Sequence, residues 1–481
     1  MERIKNLFFK NQGTRQVIFK NTFWLAFAEG SASALKLFVL IFAARILGAT
    51  DYGKFTFAFS FVTIFSLFFD LGLVQTLIRE FSKDPEKEKH FSSIISLKLI
   101  TSAIALGVIA VSSVLSMPEG IIRKVVFILA LYVLLGDFMN IFYAFFRARQ
   151  KMEYEAFYRI FQALLVLGIS FFALSREQSF IWLAYAYFIS AFFTVIFVAV
   201  FFHFKISPLN LSFKKEIWKK FLAISYPFAF LTGVTTILYN NLDSVMLGFF
   251  GQITQNGWYN AAYKMIFVAL FPMSFVSQSF FPALSAAVND SKARLQRLWH
   301  FQVGAMIFLA LPVFFGGFLL SNQIINKFYS PEFIPSVAVF QILLVTAVLI
   351  YFYISFQNIL IALNHQKKVL ITLAVALGLN AILNWFLIPR YSLYGVAAGS
   401  VFVHLFILIT LIILTARFAG VNPIDRELIK IFLISLIASV IMYFALRFLN
   451  RGLFFSVPMG AGIYFIFFFG LKMLAEKGIH I

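Results

Sequence analysis

NTFWLAFAEGSASALKLFVLIFAARILG, residues 21–48, is apolar and long enough to cross a membrane, yet Glu29 and Lys36 lie well inside its ends. Roughly 20 apolar residues suffice to span the hydrocarbon core as a helix. An ionisable side chain at that depth costs at least ~2.5 kcal/mol on insertion scales, so it faces a cavity or a partner rather than lipid. Neither interface is close to Lys36, and Glu29 is its only ionisable neighbour on the same helix face, seven residues back. That favours a place in a cavity for the ammonium.

The remainder of the chain has the same character. Hydrophobic residues make up 61 % of the 481 and charged ones 12 %, with a mean hydropathy of +0.90, which excludes a soluble globular domain. Cysteine is absent, so disulfide, zinc-thiolate and iron–sulfur chemistry are excluded. The formal net charge of +20 would suggest nucleic acid in a soluble protein. Here the distribution of Lys and Arg decides its meaning.

Apolar runs lie near 22–47, 55–78, 91–115, 121–146, 155–175, 179–203, 219–248, 257–287, 298–320, 334–363, 368–389, 394–416, 428–449 and 453–473. Lys and Arg crowd into alternate connections, including 79–89, 147–151, 205–220, 292–297 and 367–368. The opposite loops hold few, so the positive-inside rule places both termini in the cytoplasm of a multi-pass plasma-membrane protein. The basic excess then meets anionic membrane lipids, and no nucleic acid is expected. The basic stretch before the first span lacks a cleavage site and reads as a retained cytoplasmic lead-in.

ARILGATDYGKF (44–55) and DSVMLGFFGQIT (243–254) each join two spans about 200 residues apart, and the regions after 164 and 374 echo one another similarly. The fold class expected is therefore an all-α integral membrane protein of about 14 transmembrane helices. Two parallel-repeat six-helix bundles (1–204 and 221–418) flank a linker at 205–220, and two additional helices occupy 419–481. Phe213, Ile217 and Phe221 fall at helical spacing among lysines, which predicts that the linker is a short amphipathic helix lying in the interface.

Besides Glu29 and Lys36, the charges at membrane depth are Asp70, Lys98, Asp137, Arg159, Asp243 and Lys264. Lys36, Lys98, Arg159 and Lys264 suit an anionic cargo, whose dehydration needs opposing charge. Glu29, Asp70, Asp137 and Asp243 serve either coupling to an ion, H+ or Na+, or structural ion pairs. Asn380 and Asn384, four apart on one face, line a cavity or bond between helices. No phosphate-binding loop, no metal-ligand spacing of the six histidines and no external loop with room for catalytic residues is present. A transporter without a cofactor is expected, not an enzyme.

ARILGATDYGKF, FFDLGLVQTLIREF (68–81), DSVMLGFF with YNAAYK (259–264), FFPALSAAVND (280–290) and LNAILNWFLIPRYSLYGVAAGSVF (379–402) together resemble the Wzx-type polysaccharide exporters. These are lipid-linked oligosaccharide flippases of the MOP superfamily, which also holds MATE drug exporters and the lipid II flippase MurJ. The resemblance spans nearly the whole chain. It implies two six-helix bundles around a cationic cavity, and a monomer moving a polyprenyl-pyrophosphate-linked saccharide outward by alternating access. It also makes Arg45, just before Leu47-Gly48, a candidate cavity cation beside Lys36. A MATE-like antiporter of organic cations and a membrane-embedded enzyme of glycan assembly are the rival expectations.

Overall fold

The computed structural model describes residues 13–65, 69–117, 120–288, 290–420, 422 and 425–476, so most of the basic lead-in lies outside it. Among the described residues the chain forms α1 (Thr14–Ile64), α2 (Leu73–Lys83), α3 (Phe91–Ser116), α4 (Ile121–Ala148), α5 (Met152–Arg176), α6 (Phe180–Lys205) and α7 (Lys215–Asn240). It continues through α8 (Leu242–Phe249), α9 (Ile253–Ala287), α10 (Lys292–Phe328), α11 (Ser336–Ala362), α12 (Gln366–Phe418), α13 (Arg426–Leu449) and α14 (Leu453–Glu476). Eleven of these are long and apolar enough to cross a membrane.

Two of the eleven are hairpins. In α1 the backbone leaves the helix at Gly48, with φ 71° and ψ 173°. The arm before it runs beside α5, Lys20 meeting Glu153 and Phe42 stacking on Phe171. The arm after it runs beside α6, Lys54 lying over Phe180 and Phe59 against Tyr187. In α12 the break falls at Ser392, with φ 54° and ψ −138°, held by Gln252, which takes the Ser392 hydroxyl at 2.5 Å and donates to the Ile388 carbonyl at 3.3 Å. Gly395 and Gly399 then pack on Leu387 and Asn384 of the incoming arm. With α7, whose 26 residues reach about 39 Å at roughly 1.5 Å per residue, these account for the fourteen apolar runs. Gly48 occupies a region of backbone space essentially restricted to glycine. Gly48→Ala is expected to cost about 1–3 kcal/mol, read as a lowered thermal midpoint of the purified protein.

By contact the chain divides into two compact units, Met1–Gly248 and Phe249–Ile481. The first is held by an aromatic core in which Phe202 meets Phe91 at 4.8 Å and Phe145 at 4.9 Å, and Phe221 of α7 joins the same cluster. That contact places α7 with the first unit. In the second, α11 packs on α9, α10 and α12. The C-terminal pair docks on α10 through Phe308, which meets Phe468 at 4.6 Å and accepts a 2.8 Å hydrogen bond from Tyr464.

The linker differs from the expected interfacial helix. Residues 207–214 are non-helical, because Ser207 precedes Pro208, which disfavours helix at the preceding residue and lacks an N–H. The segment is pinned to α3 instead, Ser212 N–H donating to Ser96 Oγ at 2.9 Å and Trp218 Nε1 to the Ser93 carbonyl at 2.8 Å. Leu209, Ile217 and Trp218 pack on the aromatic core rather than on lipid.

Candidate functional site

One face of α4 carries Gly136, Asp137, Asn140, Tyr143 and Arg147, a polar stripe at spacings of one, three, three and four that lines a pocket of about 450 Å³ in the first unit. Residues three or four apart share a helix face, and every wall is built that way. The first arm of α1 contributes Ala32 and Lys36, its second arm Phe59 and Thr63, and α5 Arg159 and Gln162. Asp70 enters from the break between α1 and α2, where Leu71 and Gly72 adopt φ of 48° and 73°, and Gln75 from the first turn of α2.

The charges divide into three groups. At the wall, Lys98 is wholly buried and forms an ion pair with Asp137, while its ammonium also donates to the Phe69 carbonyl at 2.6 Å. At the rim, Arg147 makes a two-pronged contact with Glu155 at 2.6 and 2.7 Å. Arg159 reaches the same carboxylate at 2.8 Å and Glu29 at 3.0 Å, and lies 5.3 Å from the Tyr143 ring. Beside them, Lys20 bridges to Glu153 at 3.0 Å and to the Gln150 carbonyl at 3.1 Å, tying the start of α1 to the α4–α5 turn.

Lys36 stands apart. Its half-buried side chain lines the pocket, and among the described residues it has no carboxylate partner. Asp70, also lining, accepts from the Val74 N–H at 3.2 Å. The pocket and its surround are therefore not uniformly cationic: Lys98, Arg147 and Arg159 are paired with Asp137, Glu155 and Glu29, and Lys36 and Asp70 both line the pocket outside any ion pair among the described residues. What the pocket offers is one ammonium and one carboxylate outside any such ion pair, in a frame of satisfied ones.

The other candidates lie elsewhere. Lys98 stands behind the wall rather than among the lining residues, since burial of its ammonium demands the Asp137 and Phe69 contacts. Arg45 is exposed three residues before the Gly48 turn. Asp243 sits half-buried on α8 in the first unit, and Lys264 half-buried on α9 in the second. Asn380 and Asn384 are buried inside the α12 hairpin, where Asn384 faces Gly399. His300, Asp425 and Glu427 converge closely enough to hold a metal, but Asp425 is engaged by His300 at 3.1 Å and caps α13 through the Leu428 N–H.

Arg147, Glu155, Asn140 and Gln162 belong to the site without having been singled out. Arg147 was absorbed into the basic count of its loop, although its spacing from Asp137 and Asn140 on one helix face was a readable signal.

A family model described as "Polysaccharide biosynthesis protein" matches residues 18–288. The probable low-salt glycan biosynthesis flippase Agl15 of Haloferax volcanii is 22 % identical over 372 residues, 76 % of this chain and 77 % of that one. Among solved structures, the lipid II flippase MurJ in an inward closed conformation aligns with a TM-score of 0.78 at 16 % identity, covering 94 % of this chain and 99 % of that one. An inward-facing MATE-family multidrug transporter of the MOP superfamily aligns at 0.66 and 14 % identity, over 81 % and 94 %. A MOP transporter from Pyrococcus furiosus, described as having a binding pocket of reversed polarity, aligns at 0.60 and 15 %, over 87 % and 98 %.

Proposed function

Because the chain belongs to the polysaccharide biosynthesis protein family, matched over more than half its length, we propose that it is a flippase for a polyprenyl-pyrophosphate-linked oligosaccharide. It acts without enzymatic chemistry, by alternating access, in the plasma membrane with both termini in the cytoplasm. The observation that carries this is Lys36, an ammonium held in a membrane-depth pocket with no carboxylate within ion-pair distance among the described residues. A pyrophosphate supplies the direct anionic partner that Lys36 lacks, and a charge-assisted contact in a low-dielectric pocket repays part of the headgroup's dehydration. The Haloferax relative, named as a glycan flippase, supports the cargo class. Asp70, in the same pocket and free of any cation within ion-pair distance among the described residues, is the carboxylate proposed to bind the coupling H+ or Na+.

A second reading has one observation in its favour. Asp70 and Asp137 line the same pocket as Lys36, and carboxylates suit an organic cation. The two separate in liposomes containing the purified protein. Movement of a fluorescent polyprenyl-pyrophosphate sugar to the opposite leaflet is expected, well above empty vesicles. Transport of ethidium-type cations with no movement of the lipid-linked sugar would establish the antiporter instead.

A further inference from the structure

In the second unit a groove of about 630 Å³ runs between α10, α13 and α14. Along α10 it follows a single helix face, with Gln296, Arg297 and His300 at one end and Phe301, Gly304 and Phe308 further in. The other two walls are graded in the same direction: Glu427 precedes Ile431 on α13, and Lys472 stands beyond Phe468 on α14. Polarity thus changes along the helices rather than around them, which suits a molecule with a charged head and an apolar tail lying parallel to the spans. Gly304 gives the floor its depth, since a Cβ there would meet Ile431 at 3.2 Å.

Arg297 has no carboxylate partner among the described residues, and Lys472 reaches Glu476 only at 4.0 Å. Glu427 is the one carboxylate among the lining residues, and His300 is turned to Asp425 at 3.1 Å. Among the lining residues two cations stand against one carboxylate, an excess of one positive charge that complements a phosphodiester. Basic pockets between spans on the cytoplasmic side bind anionic lipid headgroups in this way. We propose that the groove holds one anionic two-chain phospholipid of the cytoplasmic leaflet, its phosphate between Arg297 and Lys472 and its chains over Phe301, Phe308 and Phe468. The assignment rests on the cytoplasmic orientation proposed above, and not on the cargo.

Native mass spectrometry of the full-length protein, titrated with phosphatidylglycerol against phosphatidylcholine, tests it. One phosphatidylglycerol is expected to be retained beyond the background, and R297Q/K472Q to bind it roughly thirtyfold more weakly. A305F, which fills the floor and keeps both cations, is expected to lose it as well. K214Q/K215Q, which removes two positive charges outside the groove, is expected to retain it. Equal loss in both charge variants, or retention in R297Q/K472Q, overturns the proposal. So does displacement of the phospholipid by an equal concentration of polyprenyl phosphate, which would assign the groove to the cargo's tail. Translocation is not part of this readout, so failure here leaves the flippase proposal standing, and failure of translocation leaves the lipid site standing.

Discussion

Lys36→Ala is expected to slow translocation of a polyprenyl-pyrophosphate sugar by about ten- to a hundredfold while leaving the thermal midpoint of the protein where it was. The two halves of that result come from one fact. Lys36 lines the pocket but makes no ion pair among the described residues, so its removal breaks no contact that holds helices together. A hydrogen bond to a charged group is worth roughly 1.5–3 kcal/mol, which as a barrier corresponds to the stated range. Lys36→Arg keeps the charge and is expected to retain most of the rate. Liposome translocation, alongside thermal unfolding of the same preparations, checks both. A wild-type rate in Lys36→Ala would remove the residue from the cargo path, and a large fall in midpoint would show that it is a packing group after all.

How much of this was legible in the chain follows from what each signal is made of. The span count was readable because a helix crossing lipid must be apolar for about 20 residues, and no tertiary partner alters that requirement. The hairpins were readable too, since Gly48 ends an apolar run and Pro389 falls three residues before the Ser392 break. That these charges fall within long apolar helices was readable, but direction was not. Lys36 and Lys98 are both lysines inside spans, yet one lines the pocket and the other is wholly buried against Asp137. The difference is set by the angular position of each helix, which depends on all its neighbours. The linker failed for a local reason: Phe213, Ile217 and Phe221 do share helical spacing, but Pro208 stops the helix upstream and Trp218 finds the Ser93 carbonyl.

Lys98 and Asp137 offer the other large effect, and they separate architecture from transport. Removing one member of a buried ion pair strands the other and costs about 3–5 kcal/mol, whereas replacing both with apolar groups of similar volume is often nearly neutral. Lys98→Met should therefore be strongly destabilising, because Asp137 is buried and would lose its cation. Asp137→Leu should be comparably severe, leaving the ammonium only the Phe69 carbonyl. The double variant K98M/D137L is expected to recover much of the lost midpoint, a coupling that neither single variant predicts. Recovery of stability need not restore transport. Lys98 grips Phe69, whose neighbour Asp70 enters the pocket, so the double variant releases the carboxylate proposed to bind the coupling ion. A stable K98M/D137L protein that still moves the lipid-linked sugar, but with weakened dependence on the H+ or Na+ gradient, is the expected result. Full wild-type coupling in that variant would instead reduce the pair to a strut between α3 and α4, and would leave Asp70 positioned by its own bond to the Val74 N–H.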